Sequence, residues 1–323
     1  MSNLPLNHTS AGNIKAKHDT AHHKPAMQDG VSPSTVYLPE NGSTGAAHHY
    51  NSILEFLIAR FPTISVDIWH QRIEQQKVFD ANGQPIQQDT AYVPHTKVYY
   101  YRELTKEIPV PFEAKILFQN EHLLVVDKPH FLAVSPTGRY VKETLLVRLK
   151  QHLGNPDISP IHRLDRETAG VILFSLQPST RAQYHALFEQ QQVKKTYHAI
   201  AHYKPELQFP LNYHSHMTKG DPFFVMKEVD KQANSFTHID LLKVDGDFAL
   251  YELKPISGKQ HQLRVHMSAL GVPILNDGFY PQVQFKNDND FSSPLQLLAK
   301  SITFIDPISQ QKVCYYSEQQ LKF

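Results

Sequence analysis

One cysteine, one tryptophan and almost no net charge characterise this 323-residue chain. Each scarcity removes a class of protein. With Cys314 alone no internal disulfide can form, which fits a reducing compartment. No Cys/His ligand spacing accompanies the 20 histidines, so no metal site is expected. No apolar run is long enough to span a bilayer, and the first residues lack the apolar stretch of a signal peptide. The expectation is a cytoplasmic monomer with no membrane contact. Lys and Arg total 32 against 31 Asp and Glu, giving a net charge of +1. The chain is not globally basic, and any grip on a polyanion must come from a local patch.

What is present divides into three stretches. Residues 1 to 48 are polar and without period, carry His8, His18, His22, His23 and His48, and read as a disordered tail. Residues 49 to 112 read as a small α/β module. Ile53, Leu54, Phe56, Leu57 and Phe61 suit one amphipathic helix, and Ile64, Ile68, Trp69 and Ile73 a second. Strand-like pieces at 77–79 and 97–101 follow, with Asn82-Gly83 as a hairpin turn between them. Six Lys/Arg against seven Asp/Glu leave this module without a basic face. Ile108-Pro109-Val110-Pro111 reads as a stiff linker to the domain of residues 113 to 323.

That larger domain carries the chemistry. A hairpin at 116–118 and 123–126 leads into Asp127-Lys128-Pro129, and Leu145, Leu146, Leu149 and Leu153 give a helix closed by Gly154. Ser179 is placed to cap the next helix, and Lys312–Tyr316 reads as a strand with Cys314 packed inside. Between Thr137 and Tyr197, nine Lys/Arg face five Asp/Glu, a local excess of four. Arg139, Arg163, Arg166, Lys194 and Lys195 belong to that excess, and with His162, Lys259 and His261 they are the candidate phosphate contacts.

The most informative block is His162-Arg163-Leu164-Asp165-Arg166-Glu167-Thr168-Ala169-Gly170, a charged loop running into the apolar strand Val171–Ser175. Taken alone, Asp165 between two arginines is a surface ion pair worth little. The whole string resembles the signature loop of the RluA-type pseudouridine synthases, whose catalytic aspartate falls on Asp165. A second block, Gly258-Lys259-Gln260-His261-Gln262-Leu263-Arg264-Val265-His266, resembles the segment whose arginine pairs with that aspartate, here Arg264. Lys259 stands where Arg is commoner, keeping charge but losing bidentate geometry. Lys195-Thr196-Tyr197-His198-Ala199 resembles the strand whose tyrosine lies against the target base, here Tyr197. Leu275–Tyr280 resembles a Gly-Asp-x-x-Tyr segment, departing from it at Asn276.

The resemblance covers roughly residues 113 to 323. It implies an α+β fold, the pseudouridine-synthase fold, with a mixed, mainly antiparallel sheet, flanking helices and a central RNA-binding cleft. For residues 49 to 112 the resemblance is to an S4-type RNA-binding module. The implied activity is isomerisation of uridine to pseudouridine in structured RNA, ribosomal or transfer, without a cofactor. Whether Asp165 attacks C1′, attacks C6 or removes a sugar proton stays open, as does the RNA target. Two other readings stand beside it: a catalytically silent RNA-binding protein of the same fold, and a glycosidic-bond hydrolase using Asp165 and Glu167.

Overall fold

The computed structural model describes residues 24–42, 49–102, 107–285, 287 and 289–323. They divide into two units, one built on Pro33–Tyr101 and the other on Met27–Ser32 with Arg102–Phe323.

In the smaller unit, β1 (Ser34–Tyr37), α1 (Ile53–Arg60), α2 (Val66–Glu74), β2 (Val78–Phe79) and β3 (Lys97–Tyr100) follow in order. Ser52 caps α1 by accepting the Glu55 N–H, and the Glu55 carboxylate returns to the Asn51 N–H. Ser65 caps α2 in the same way through Ile68. The apolar faces of both helices meet at Leu54, Leu57, Trp69 and Ile73, over an antiparallel sheet of order β1-β3-β2.

The larger unit contains β4 (Lys115–Gln119), β5 (Leu123–Lys128), α3 (Leu145–Leu153), β6 (Ser159–Pro160), β7 (Ala169–Ser175), α4 (Pro178–Glu189) and β8 (Lys194–His202). It continues with β9 (Leu211–Lys219), β10 (Met226–Val229), β11 (Ser235–Asp245), β12 (Phe248–Pro255), α5 (Gln262–Ala269), β13 (Leu297–Ile305) and β14 (Lys312–Tyr316). Its sheet runs β10-β9-β11-β12-β8-β13-β7-β5-β4, with β14 on β13 and β6 on β7. All named pairings are antiparallel except β7 with β13.

Strands β5 and β7 are buried along their whole length because helices cover both faces. Leu124, Val126, Ile172 and Phe174 pack with Leu145 and Leu149 of α3. The alternate residues Leu123, Val125, Val171 and Leu173 pack with Tyr184 and Leu187 of α4. Further along the sheet, Ala199, Tyr251 and Leu253 receive Leu263 and Met267 of α5. Each fully buried leucine of this kind contributes about 1.5–3 kcal/mol.

Gly170 sits where β7 meets β13. Its φ is +110°, and a Cβ there would lie 2.2 Å from the Ala299 carbonyl oxygen. Only glycine permits this approach.

Several expectations need correction. The tail assigned to 1–48 is ordered over the described residues 24–42: Ser34–Tyr37 pair with β3, and Leu38 is fully buried. This pairing partner is distant in sequence, so no local period announces it. Residues 1–23 and 43–48 lie outside the described residues. The unit boundary falls at Tyr101/Arg102, not at 112. The supposed linker is packed: Val110 is in the core, and its N–H donates to Glu143. Asn82-Gly83 turns the chain between Asp80 and Gln84 rather than joining β2 to β3. Gln177, not Ser179, is the N-cap of α4, because Pro178 already supplies the first helical residue. Cys314 is in a strand but exposed. Among the described residues, no helix is long and apolar enough to cross a membrane.

Candidate active site

A cleft of about 870 Å³ opens beside the central strands of the larger unit. Its wall is formed by the loop before β7, by Lys195 and Tyr197 of β8, by the turn Ser257–His261, by Arg264 of α5 and by Leu297 of β13. Asp165 is in this wall, its side chain 27% exposed.

The loop carrying Asp165 is held from below. The Thr168 N–H donates to the Asp165 carbonyl at 3.2 Å, making a tight turn. The next two carbonyls are also occupied: Lys128 Nζ donates to the Arg166 oxygen at 3.1 Å and His130 Nδ1 to the Glu167 oxygen at 2.7 Å. Lys128 has no exposed surface, and it also donates to the carbonyls of Pro129 and Leu132. Burial lowers its ammonium to about 7, against the opposing pull of the Glu167 and Asp165 charges. One cation thus ties the end of β5 to the loop at the start of β7. Between its two local carbonyls stands Phe131 with φ +65°, an uncommon conformation for a bulky residue.

Arg264 is 1% exposed and faces two carboxylates. Its Nε and Nη2 donate to Asp277 Oδ2 and Oδ1 at 2.8 and 2.6 Å, a bidentate pair. Its Nη1 donates to Asp165 Oδ2 at 3.3 Å. Asp277 Oδ1 also accepts the backbone N–H groups of Phe279 and Tyr280. The guanidinium carbon lies 4.9 Å from the Phe279 ring centroid and 5.5 Å from that of Tyr280. Burial alone works against the cation, but the hydrogen bond and charge of Asp277, and the charges of Asp165 and Glu167, raise its pKa further. Arg264 therefore stays charged beside Asp165 at any working pH.

Tyr197 lines the same cleft. Burial, then the charge of Asp165, pushes its hydroxyl well above the usual range, so it presents a neutral aromatic surface. Lys195 Nζ donates to the Ser257 carbonyl at 2.9 Å, and burial lowers it to about 8. His261 Nε2 stands 3.8 Å from Asp165 Oδ2. The arrangement offers an aimed carboxylate beside a fixed counter-cation and an aromatic wall. It can serve as nucleophile or base toward a substrate entering the cleft.

The structure brings Asp165, Arg264 and Tyr197 together with Arg163, Arg166, Lys195, Lys259 and His261. Arg139 lies elsewhere, in a smaller cavity of about 260 Å³ that shares Arg166 and Arg264 with the cleft. Lys194 is exposed at the start of β8 and is not part of the cleft wall. His162 borders the cleft but is not a candidate phosphate contact. Its Nε2 accepts the Leu173 N–H at 3.2 Å, and its ring stacks on Phe188 at 4.6 Å. Burial, then the charge of Lys195, lowers it to about 3, so it stays neutral. Glu167 is engaged by Arg166 at 3.1 Å rather than standing as a second free carboxylate. Three residues of the site had no assigned role in the sequence: Lys128, Asp277 and Tyr280. The signals were present in Asp127-Lys128-Pro129 and Leu275–Tyr280, but only three-dimensional contact gives them a purpose.

Residues 122–269 match the family described as RNA pseudouridylate synthase. The chain is similar to tRNA pseudouridine synthase C of Vibrio vulnificus, 31% identical over 225 residues, which covers 63% of this chain and 90% of that protein. It is also similar to the dual-specificity RNA pseudouridine synthase RluA of Yersinia pestis, 32% identical over 198 residues, covering 59% and 92%. Among solved structures, human RNA Pseudouridylate Synthase Domain Containing 1 shares the fold with a TM-score of 0.53 at 22% identity, over 68% of this chain and 94% of that one.

Proposed function

The chain belongs to the RNA pseudouridylate synthase family, and we propose that Asp165 is the carboxylate with which it isomerises uridine in structured RNA, ribosomal or transfer. The observation that carries this reading is the partly exposed Asp165 held against a buried, permanently charged Arg264 in an open cleft. Pseudouridine formation breaks the bond between uracil N1 and C1′ and joins C5 to C1′, so reactant and product have the same composition. The reaction needs a positioned carboxylate, a means of keeping it ionised and a surface for the detached base. Asp165, Arg264 and Tyr197 supply these in turn. A uridine in a helix must first be drawn out of its stack, and Arg163 and Lys259 at the cleft are suited to hold the flanking phosphates.

The test is a chemical pseudouridine map of transfer and ribosomal RNA from cells with and without the chain, followed by assay of unmodified transcripts. Wild-type protein should modify a defined uridine, and Asp165→Asn should not, while still binding the transcript within a few-fold. Phosphate contacts dominate affinity, so one carboxylate contributes little to it. Turnover by Asp165→Asn would remove Asp165 from this role.

A further inference from the structure

The position of His261 is built with more constraint than a general RNA contact requires. It stands before the first turn of α5 with φ +54°, a left-handed conformation that few non-glycine residues adopt, histidine being among the more tolerant with asparagine and aspartate. Such strain persists where the surroundings enforce it, often at functional sites. The side chain is 7% exposed.

Both ring nitrogens are accounted for. The Tyr280 hydroxyl accepts the Met226 N–H at 2.8 Å and lies 2.8 Å from His261 Nδ1. A phenol has one proton, and Nδ1 is the acceptor the described residues offer it. Tyr280 therefore donates to Nδ1, which leaves the single proton of the neutral ring on Nε2. Burial, partly offset by the Asp165 charge, lowers the imidazole pKa and favours that neutral form. The Nε2–H points into the cleft at 3.8 Å from Asp165 Oδ2, beyond hydrogen-bond length. Among the described residues no acceptor takes this proton, and it lies beside the carboxylate that substrate must approach.

We propose that His261 is a further catalytic residue, whose Nε2–H donates a hydrogen bond to a carbonyl oxygen of the target uracil and stabilises the negative charge the base acquires. This rests on the reading of Asp165 given above. When N1–C1′ breaks, the electron pair stays with uracil and spreads over N1, O2 and O4. Attack at C6 sends charge toward O4, and loss of a sugar proton expels the same uracil anion. Every route open to Asp165 thus makes a uracil oxygen more negative. After the base turns, C5 supplies the pair for the new bond to C1′, the C5 proton leaves and N1 gains one, with no net change. His261 keeps its own proton throughout. A preorganised donor of this kind acts as an oxyanion hole does. A phosphate contact is a poorer fit, because the ring is neutral and largely buried.

The test uses full-length protein and an in vitro transcript of the RNA that the wild type modifies, made with uridine or with 5-fluorouridine. Fluorine already stabilises the departing anion, so cleavage of the fluorinated substrate depends less on a donor. His261→Asn tolerates the left-handed backbone while withdrawing the donor from the uracil. It should lower the single-turnover rate on uridine about 10²–10³-fold, with KM within about threefold. The loss on 5-fluorouridine should be at least about tenfold smaller. Tyr280→Phe frees the tautomer and should show the same pattern more weakly, which provides a second reading if His261→Asn does not fold. Equal losses on both transcripts, a change in KM alone or no change would overturn the proposal. If His261→Asn behaves as wild type while Asp165→Asn is inactive, only the role of His261 falls. Activity in Asp165→Asn would instead remove the reading beneath it.

Discussion

Arg264 is anchored more firmly to Asp277 than to Asp165: two short bonds, 2.8 and 2.6 Å, against one of 3.3 Å. The cation is thus fixed by a residue outside the cleft wall, and Asp165 takes its orientation from a partner that does not depend on it. Division of labour between the carboxylates has measurable consequences. Asp277→Ala leaves a fully buried guanidinium without its main partner and should cost about 3–5 kcal/mol. Asp165→Ala, at a partly exposed position, should cost about 1 kcal/mol or less while removing activity. Urea denaturation of the two variants checks the order; a larger loss for Asp165→Ala would reverse the assignment.

Acid should unfold the protein through neutral histidines. His162 is lowered to about 3 by burial and then by Lys195, and His266 to about 4 by burial and then by His214. In the unfolded chain both return to about 6.5. Between these values the unfolded state binds more protons, so stability rises with pH across the window and is lost as pH falls from about 6.5 toward 3–4. The urea midpoint should drop between about pH 7 and about pH 4.5. His162→Phe keeps the ring on Phe188 without titrating, and its midpoint should drop less. An identical pH slope in wild type and variant would exclude His162 as a source.

Gly170→Ala should be among the most damaging single changes. The added methyl meets the Ala299 carbonyl at 2.2 Å, and the φ of +110° is itself unfavourable for alanine. Overpacking and backbone strain together amount to roughly 2–5 kcal/mol. A Tm within about 2 °C of wild type would mean that β13 can move away freely.

Removing residues 1–48 should damage the smaller unit, because it deletes β1 and the fully buried Leu38. Loss of one such leucine side chain costs about 2–5 kcal/mol, before the edge strand is counted. Limited proteolysis should then cut first within 49–101. Unchanged protection there would show that β1 contributes nothing.

Much of the site was legible because its residues are close in sequence. Asp165 and Thr168 lie in one loop that runs into Gly170 of β7, and Arg264 and His261 share one turn and helix. The α3 helix was legible for the same reason: Leu145–Leu153 has a helical period and a glycine stop. What escaped was decided by distant contacts. Asp277 stood in a segment resembling Gly-Asp-x-x-Tyr with no partner assigned, and the structure supplies Arg264 as that partner. Lys128 had no role in the sequence, and the carbonyls of Pro129, Leu132 and Arg166 explain a lysine with no exposed surface. His162 shows the opposite error: a histidine in a basic loop suggested RNA, but a backbone N–H and an aromatic ring had already taken it.

The position of β13 makes one late segment of the sequence the seam of the sheet. This strand lies between β7 and β8, joining the half of the sheet that bears the Asp165 loop to the half that bears Tyr197 and leads to Arg264. In sequence it follows every other element of the cleft wall. Until Leu297–Ile305 arrives, the two halves share no strand ladder through this seam. A chain without this strand would carry Asp165, Tyr197 and Arg264 but lack the ladder that joins their two halves of the sheet.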